Sequence, residues 1–577
     1  MKRILLLLLL AAAAVSCGPK DGEYTFRILT TNDVHGRYFD AEYVNDGVRN
    51  SLISAAWYID SVRVAAGKEN VILVDVGDFL QGDNAAYYYN YVDTLSEHLH
   101  ARMAEYMDYD AVIVGNHDVE TGHAVYDRYA QQLDRPFLAC NAIRTDNGES
   151  YFQEYTVIRR HGIKIVLIGF TNPGIPGWLA PDLWEGMKFQ ELIPHAQGVV
   201  DRIRKDENPD VVIVAVHGGA GKKEYKYIEN PGMALFSTLK GVDLLLCAHD
   251  HRPVVHDADS IAMVNAGSHC KYVGQGVVNV TVKDGKVVAK SSDASLIPVK
   301  AEKHDADMKA AFASDFETVR EFTLRRVGEL KIPLHTIDAY SGMSDYINLV
   351  HTLCLESTGA DISLAAPLTY DGSVAAGIVI YNDLFTIYPY ENQLFVLSMT
   401  GKEIKGLLEY SYDNWINTYD KKSSHILKIR NVSDPRTGQE GWSFVARSYN
   451  FDSAAGICYE VDVTKPYGKR LNIFSMADGT PFDESKTYEV AMTSYRANGG
   501  GGLLKDGAGL DSEAAQARVI ARYPEIREML YDYMKTHEII DTEIIGNQSL
   551  IGNWKFVPEK IADKVLEEDV KLLFGDR

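Results

Sequence analysis

Five apolar runs in the first half of the chain constrain its fold more than any other feature. They are Thr25–Leu29, Val71–Val76, Val112–Val114, Val211–Val216 and Val242–Ala248. Runs that scarcely alternate belong to strands buried on both faces, and helical stretches between them supply the cover. This is the signature of an α/β domain with largely parallel sheets. Each run also ends in polar side chains. The first delivers Asn32-Asp33-Val34-His35, the second Gly77-Asp78, the third Gly115-Asn116-His117-Asp118, the fourth His217-Gly218-Gly219 and the fifth His249-Asp250-His251. Ligands bind at the carboxyl ends of strands in such sheets, so the five clusters are expected on one rim.

Aspartate, asparagine and histidine are the oxygen and nitrogen donors that suit Zn, Mn or Fe. Two ions held roughly 3.5–4 Å apart polarise both the attacking and the leaving oxygen of a phosphoryl group, and they need a shared carboxylate. An isolated Asp-x-His or His-x-His means little. The order D-x-H, G-D, G-N-H-D, H-G-G, H-x-H, each after an apolar strand, points to a dinuclear site. His98, His100, His123, His161, His195, His256 and His269 lack such placement and read as structural or surface residues.

The length of 577 residues exceeds what one core serves and implies at least two domains. A formal charge of −22 excludes nonspecific binding to nucleic-acid polymers. It leaves room for a small phosphorylated substrate, since bound divalent ions reverse the local field. Lys2 and Arg3 precede an apolar stretch from Ile4 to Val15, too short to span a bilayer and typical of a signal peptide. Ala14-Val15-Ser16-Cys17 resembles the processing site of a bacterial lipoprotein, which implies lipidation of Cys17; the alternative is an ordinary cleaved signal. The expected location is extracytoplasmic, membrane-anchored on the periplasmic or surface side of a Gram-negative outer membrane. Cys140, Cys247, Cys270, Cys354 and Cys458 form no CxxC and no disulfide framework.

The expected organisation is a signal over 1–16, a tether over 17–24, a first domain carrying the strand-end clusters over 25–302, a linking helix over 303–330, a second domain over 331–545 and an extension of unknown role over 546–577. Helices are expected over 50–66, 94–107 and 514–536. Thr400-Gly401-Lys402-Glu403 has the capping-box pattern and opens a helix to about Trp415.

The strand-end set resembles the calcineurin-like metallophosphatases, specifically the secreted 5′-nucleotidase family. Leu138-Ala139-Cys140-Asn141-Ala142, Leu167-Ile168-Gly169-Phe170-Thr171 and Ala266-Gly267-Ser268 support the match. The resemblance implies an N-terminal two-sheet αββα sandwich and a C-terminal α+β substrate domain. It implies two divalent ions (Zn, Mn or similar). Asp33, His35 and His251 would hold one, Asn116, His217 and His249 the other, and Asp78 would bridge them. His117 would act on the phosphate from outside the coordination sphere. Either Asp118 or Glu120 could orient it.

In the second domain the resemblance places a nucleobase between Tyr390 and Tyr495, with Asn392 and Asn498 nearby as further substrate contacts. The family's arginine-bearing loop is replaced by Ala365-Ala366-Pro367-Leu368. That change, with Tyr495-Arg496-Ala497-Asn498-Gly499-Gly500-Gly501, resembles the 2′,3′-cyclic-nucleotide 2′-phosphodiesterase/3′-nucleotidase branch. The alternatives are a 5′-nucleotidase or nucleotide-sugar hydrolase and a non-catalytic nucleotide-binding surface lipoprotein. The expected partners are a nucleotide and, through Cys17, a membrane; no obligate protein partner is evident.

Overall fold

Strand periodicity sorts the buried runs into layers. Val211, Ile213 and Ala215 point to one side of their strand, and Val212, Val214 and Val216 to the other; both sets are buried. The computed structural model describes residues 18–45, 47–224, 228–258, 261–420, 424–433 and 440–575. Cys17 and the segment before it lie outside the described residues. Among the described residues, no helix is long and apolar enough to cross a membrane. Two compact units result: the first runs to Val319 except for Pro176–Pro181, which groups with Arg320 onward in the second.

Among its described residues the first unit contains fourteen strands: β1 Gly22–Thr31, β2 Val71–Asp75, β3 Ala111–Ile113, β4 Phe137–Leu138, β5 Ala142–Arg144, β6 Tyr155–Arg160, β7 Ile163–Phe170, β8 Met187–Phe189, β9 Val211–Val216, β10 Leu244–Cys247, β11 Pro253–Ala258, β12 Ile261–Ala266, β13 Tyr272–Lys283 and β14 Lys286–Pro298. One six-stranded sheet runs β14-β13-β1-β2-β3-β4, and the other β11-β12-β10-β9-β7-β6. β1 to β4 are mutually parallel, as are β7, β9, β10 and β12; antiparallel strands close both edges of the second sheet and the β14 edge of the first.

Between the sheets lie Ile28, Ile72, Val74 and Ile113 from one and Ile165, Leu167, Ile213 and Leu246 from the other. Outside the second sheet, Val166, Ile168, Val212 and Val214 meet Leu192, Ala196, Val200 and Ile203 of the helix Leu192–Glu207. A fully buried branched aliphatic side chain contributes roughly 1.5–3 kcal/mol, so this double layer rigidly fixes the strand ends that carry the polar clusters. The αββα sandwich expected from the sequence is present.

The second unit is α+β. Its largest sheet orders Ser453–Ala455, Ile362–Ala365, Thr487–Thr493, Gln393–Thr400 and Val519–Glu525. The helix Gly401–Trp415 opens with the capping box: Glu403 N donates to Thr400 Oγ1 at 3.3 Å, and Thr400 N to Glu403 Oε2 at 2.8 Å. The helix expected over 514–536 is instead Ser512–Gln516, the strand Val519–Glu525 and the helix Ile526–His537. Pro524 has no N–H for a helix interior, and the strand occupies a sheet edge, where proline is tolerated. The linking region is two helices, Ala306–Ala311 and Ala313–Leu324, followed by the strand Arg326–Leu330. The segment after Ile545 belongs to the second unit: Gly552–Val557 pairs in parallel with Ile457–Asp462, and Trp554 stacks on Tyr459 at 5.5 Å.

Candidate active site

The carboxyl ends of the parallel strands bring the expected donors together in two groups. Asp33, His35 and His251 place one ligand atom each within 4.8 Å of one another, and so do Asp78, His217 and His249. Asn116 joins the second group: its Oδ1 is 3.1 Å from His217 Nε2 and 2.8 Å from His249 Nδ1.

Hydrogen bonds on the far side of each ring set which nitrogen faces the site. His35 Nδ1 meets Gln81 Oε1 at 3.1 Å, and His217 Nδ1 meets the Val76 carbonyl at 2.7 Å. Both partners are acceptors, so Nδ1 carries the proton and Nε2 presents a lone pair. His35 Nε2 then faces His251 Nε2 at 2.9 Å. His217 Nε2 lies 3.0 Å from the fully buried Asp78 Oδ2. Lone pairs converging on one point fit a divalent cation.

Electrostatics say the same. Burial lifts the Asp33 carboxyl to about 8. Burial likewise disfavours the charged form of Asp78, yet the His217 and His117 rings hold that carboxyl well below its usual range. Burial opposes charge on His217, but Asp78 and then Asp33 raise its imidazole to about 9. Burial drives His35 and His249 down to about 3, which keeps them neutral and able to ligate. A proton satisfies the demand for positive charge at His217, and a divalent ion would meet the same demand while taking Asn116 Oδ1 and His249 Nδ1 as ligands.

The backbone at the rim is unusual. Asp33, His35, Asp78, His249 and His251 all have φ between 47° and 73°, the left-handed region that non-glycine residues rarely adopt. Gly77 and Gly115 allow the close approach. A Cβ on Gly115 would lie 2.2 Å from Asp78 Oδ1, and one on Gly77 would lie 2.6 Å from His217 Nδ1.

His117 lies in the short helix Asn116–Glu120, where residues three apart share a face. Its Nδ1 is held by Glu120 Oε2 at 2.5 Å, so Glu120 is the orienting carboxylate. Asp118 is corrected from that role. It is fully buried, and its oxygens accept four backbone N–H groups: Gly115 and Asp78 on Oδ2, Phe79 and Leu80 on Oδ1. Burial and then the Asp78 charge raise it to about 6. It ties the loop of Asp78 to the loop of Asn116. His269, set aside in the sequence, places its ring 5.5 Å from His35 and 5.8 Å from His251.

In the second unit Tyr390 and Tyr495 are half-buried, and a third ring that the sequence did not single out lies next to both. Tyr449 is perpendicular to Tyr390 at 6.2 Å and to Tyr495 at 6.1 Å. Two buried arginines hold the surrounding backbone. Arg496 pairs with Asp452 at 2.6 Å and donates to the carbonyls of Tyr449 and Gly500. Arg527 pairs with Glu391 and Glu525 and donates to the Pro389 carbonyl at 3.1 Å. Asn392 is buried, with its carbonyl accepting from Ile526 N. Asn498, expected at the substrate, is 2% exposed, and its amide is engaged by Gln516 at 2.6 Å and by the Trp178 carbonyl at 3.3 Å. Its backbone carbonyl also accepts from the Ser512 hydroxyl at 3.1 Å.

Comparison with known proteins agrees with this arrangement. Residues 26–253 match the calcineurin-like phosphoesterase model, and residues 326–506 match the 5′-nucleotidase C-terminal domain model. The trifunctional nucleotide phosphoesterase protein YfkN of Bacillus subtilis is 26% identical over 92% of this chain, which spans 39% of that longer protein. A 2′,3′-cyclic-nucleotide 2′-phosphodiesterase/3′-nucleotidase of Haemophilus influenzae is 24% identical, covering 97% of this chain and 91% of its own length. A crystal structure of a 5′-nucleotidase-type protein from Staphylococcus aureus with α-ketoglutarate superposes with a TM-score of 0.75 at 21% identity, over 92% of this chain and 99% of that one. The chain belongs to the calcineurin-like phosphoesterases that carry a 5′-nucleotidase C-terminal domain.

Proposed function

We propose that this chain hydrolyses nucleotides with two divalent metal ions, favouring 2′,3′-cyclic nucleotides and 3′-nucleotides, from an extracytoplasmic position anchored at Cys17. The observation that carries the reading is the pair of donor groups on one rim, with the buried Asp78 carboxylate among them. In this reading Asp33, His35 and His251 would hold one ion, Asn116, His217 and His249 the other, and Asp78 would be shared by both. A bound divalent pair supplies a nucleophile at neutral pH and neutralises charge on the phosphoryl oxygens.

The chain's own groups do the rest. Gln81 and the Val76 carbonyl fix the tautomers of His35 and His217. Glu120 fixes the His117 ring through Nδ1, and in this reading the ring's Nε2 would hydrogen-bond a phosphoryl oxygen or the leaving oxygen as charge develops there. Tyr390 and Tyr495 offer aromatic faces to the base, a contact worth about 1–3 kcal/mol. The cyclic and 3′ preference rests on the sequence 365–368, where the arginine-bearing loop is replaced, and on the names of relatives with high coverage. A cyclic diester carries less charge than a terminal phosphate and asks for fewer cationic contacts.

The test is one substrate panel. 2′,3′-cAMP, 3′-AMP and 5′-AMP are assayed side by side with added Mn, Zn or Mg, for the wild type and His117→Ala. Clear preference for 5′-AMP overturns the branch. Unchanged hydrolysis by His117→Ala overturns the site, and fewer than two bound ions overturns the dinuclear reading.

A further inference from the structure

The tether expected between the lipidated cysteine and the first unit is not free chain. Asp21 Oδ1 accepts from Gly285 N at 3.0 Å, in the turn between β13 and β14. Tyr24 donates its hydroxyl to the Lys20 carbonyl at 2.9 Å. Pro19 lies against the turn between β6 and β7: a Cβ on Gly162 would come within 3.0 Å of Pro19 Cα and 3.1 Å of the Gly18 carbonyl carbon. Every residue from Gly18 to Asp21 is therefore docked on, or directly joined to, the hairpin tips at one end of the sandwich.

That end is opposite the metal donors. Gly22 begins β1 and pairs with Val282, while Asp33 and His35 follow its other terminus. β1 has 10 residues, which at about 3.3 Å each spans roughly 33 Å. The strands delivering Asp78, Asn116, His217 and His249 run parallel to β1 or to one another, and the two donor groups meet at their carboxyl ends.

We infer that an acyl anchor on Cys17 seats the hairpin tips around Gly162 and Gly285 against the lipid headgroups and turns the metal site away from them. The inference rests on the anchor reading and is independent of the nucleotide reading. Exposed charges at these tips are mixed, Lys20, Arg159, Lys283 and Lys286 beside Asp21, Glu23 and Asp284. The contact is therefore set by the short docked tether and does not require anionic lipid. Its functional consequence concerns substrate class. Phosphoesters in the headgroups of the anchoring leaflet lie about one β1 length from the donors, so the enzyme acts on water-soluble phosphoesters and not on the lipids beneath it.

Full-length lipidated protein in phosphatidylcholine vesicles carrying a headgroup nitroxide tests this. A fluorophore is placed at Lys283→Cys or at Arg252→Cys, both in a Cys458→Ser background because Cys458 is the one described cysteine that is not buried. The expected result is strong quenching at position 283 and none at position 252, unchanged by salt. Quenching at 252 equal to or above that at 283 overturns the orientation. Cys17→Ala protein, which lacks the acceptor, is expected in the supernatant with neither label quenched. Wild-type protein that also stays in the supernatant overturns the anchor and the orientation with it, while leaving the nucleotide reading to its own substrate panel.

Discussion

Asp118→Asn separates two tasks that this carboxylate could perform. Its oxygens accept four backbone N–H groups at 2.8 to 3.0 Å, two on each oxygen. Asparagine keeps the shape. Whichever way its amide turns, the NH2 faces two backbone donors. Two accepted bonds vanish and two donors are stranded in a fully buried site. A bond to a charged acceptor contributes about 1.5–3 kcal/mol, and a stranded buried donor costs about 1–3 kcal/mol. Bonds that share one carboxylate do not add simply, so the loss is about 3–5 kcal/mol, a large share of the roughly 5–15 kcal/mol that stabilises a domain. The damage falls on the loops of Asp78 and Asn116. The variant is therefore expected to unfold at lower denaturant and to retain less metal after gel filtration, with activity recovering as metal is added in excess. Denaturation, elemental analysis and a metal titration of kcat read these directly. A variant with wild-type stability and full metal content but collapsed kcat refutes the reasoning, because it would place Asp118 on His117 and in the chemistry.

Other perturbations probe the second unit. His351 is 2% exposed between Ser363 and Ser453, and burial lowers it to about 3. The unfolded chain takes a proton near 6.5 while the folded one does not, so stability present above that pH is lost as pH falls, by about 2 kcal/mol at pH 5. His351→Gln is expected to flatten that acid limb in denaturation midpoints measured against pH; an unchanged slope refutes it. Tyr390→Ala is expected to raise KM for nucleotides by roughly five- to a hundredfold while leaving p-nitrophenyl phosphate hydrolysis near wild type. An equal loss on both substrates would remove Tyr390 from base recognition. Arg527→Met leaves the Glu391 and Glu525 carboxylates without their shared cation and is expected to destabilise by about 3–5 kcal/mol; a calorimetric midpoint equal to wild type would count against that pairing.

What the sequence made legible follows from periodicity. Buried runs such as Val211–Val216 announce a two-sided strand, and polar groups at their ends announce a rim, so sheets covered on both faces and a polar rim follow from periodicity, while the two-sheet sandwich came with the family resemblance. Tertiary contact decided the rest. Asp118 and Glu120 are both close to His117 along the chain, and only the partners of Asp118 in the Phe79–Leu80 loop show which carboxylate is free for the ring. The three-residue spacing of His117 and Glu120 on a helix was the available clue. Tyr449 lies in a short 3-10 turn with no period to mark it. Val519–Glu525 was hidden because Ala514 to Glu528 is rich in helix formers, and Pro524 was the signal against them.

The left-handed backbone at the rim bears on why these side chains are there at all. Among the described residues, twelve non-glycine residues have positive φ, and five of them are proposed metal ligands. An L-residue in that conformation gives up of order 1 kcal/mol, which glycine would recover. Drift under selection for folding alone would therefore erode Asp33, His35, Asp78, His249 and His251 first, each loss making the protein sturdier and inert. A scaffold released from chemistry long ago would be expected to carry glycine or asparagine at several of these positions. This one keeps a histidine or carboxylate at every one of them, as the proposed metal site requires.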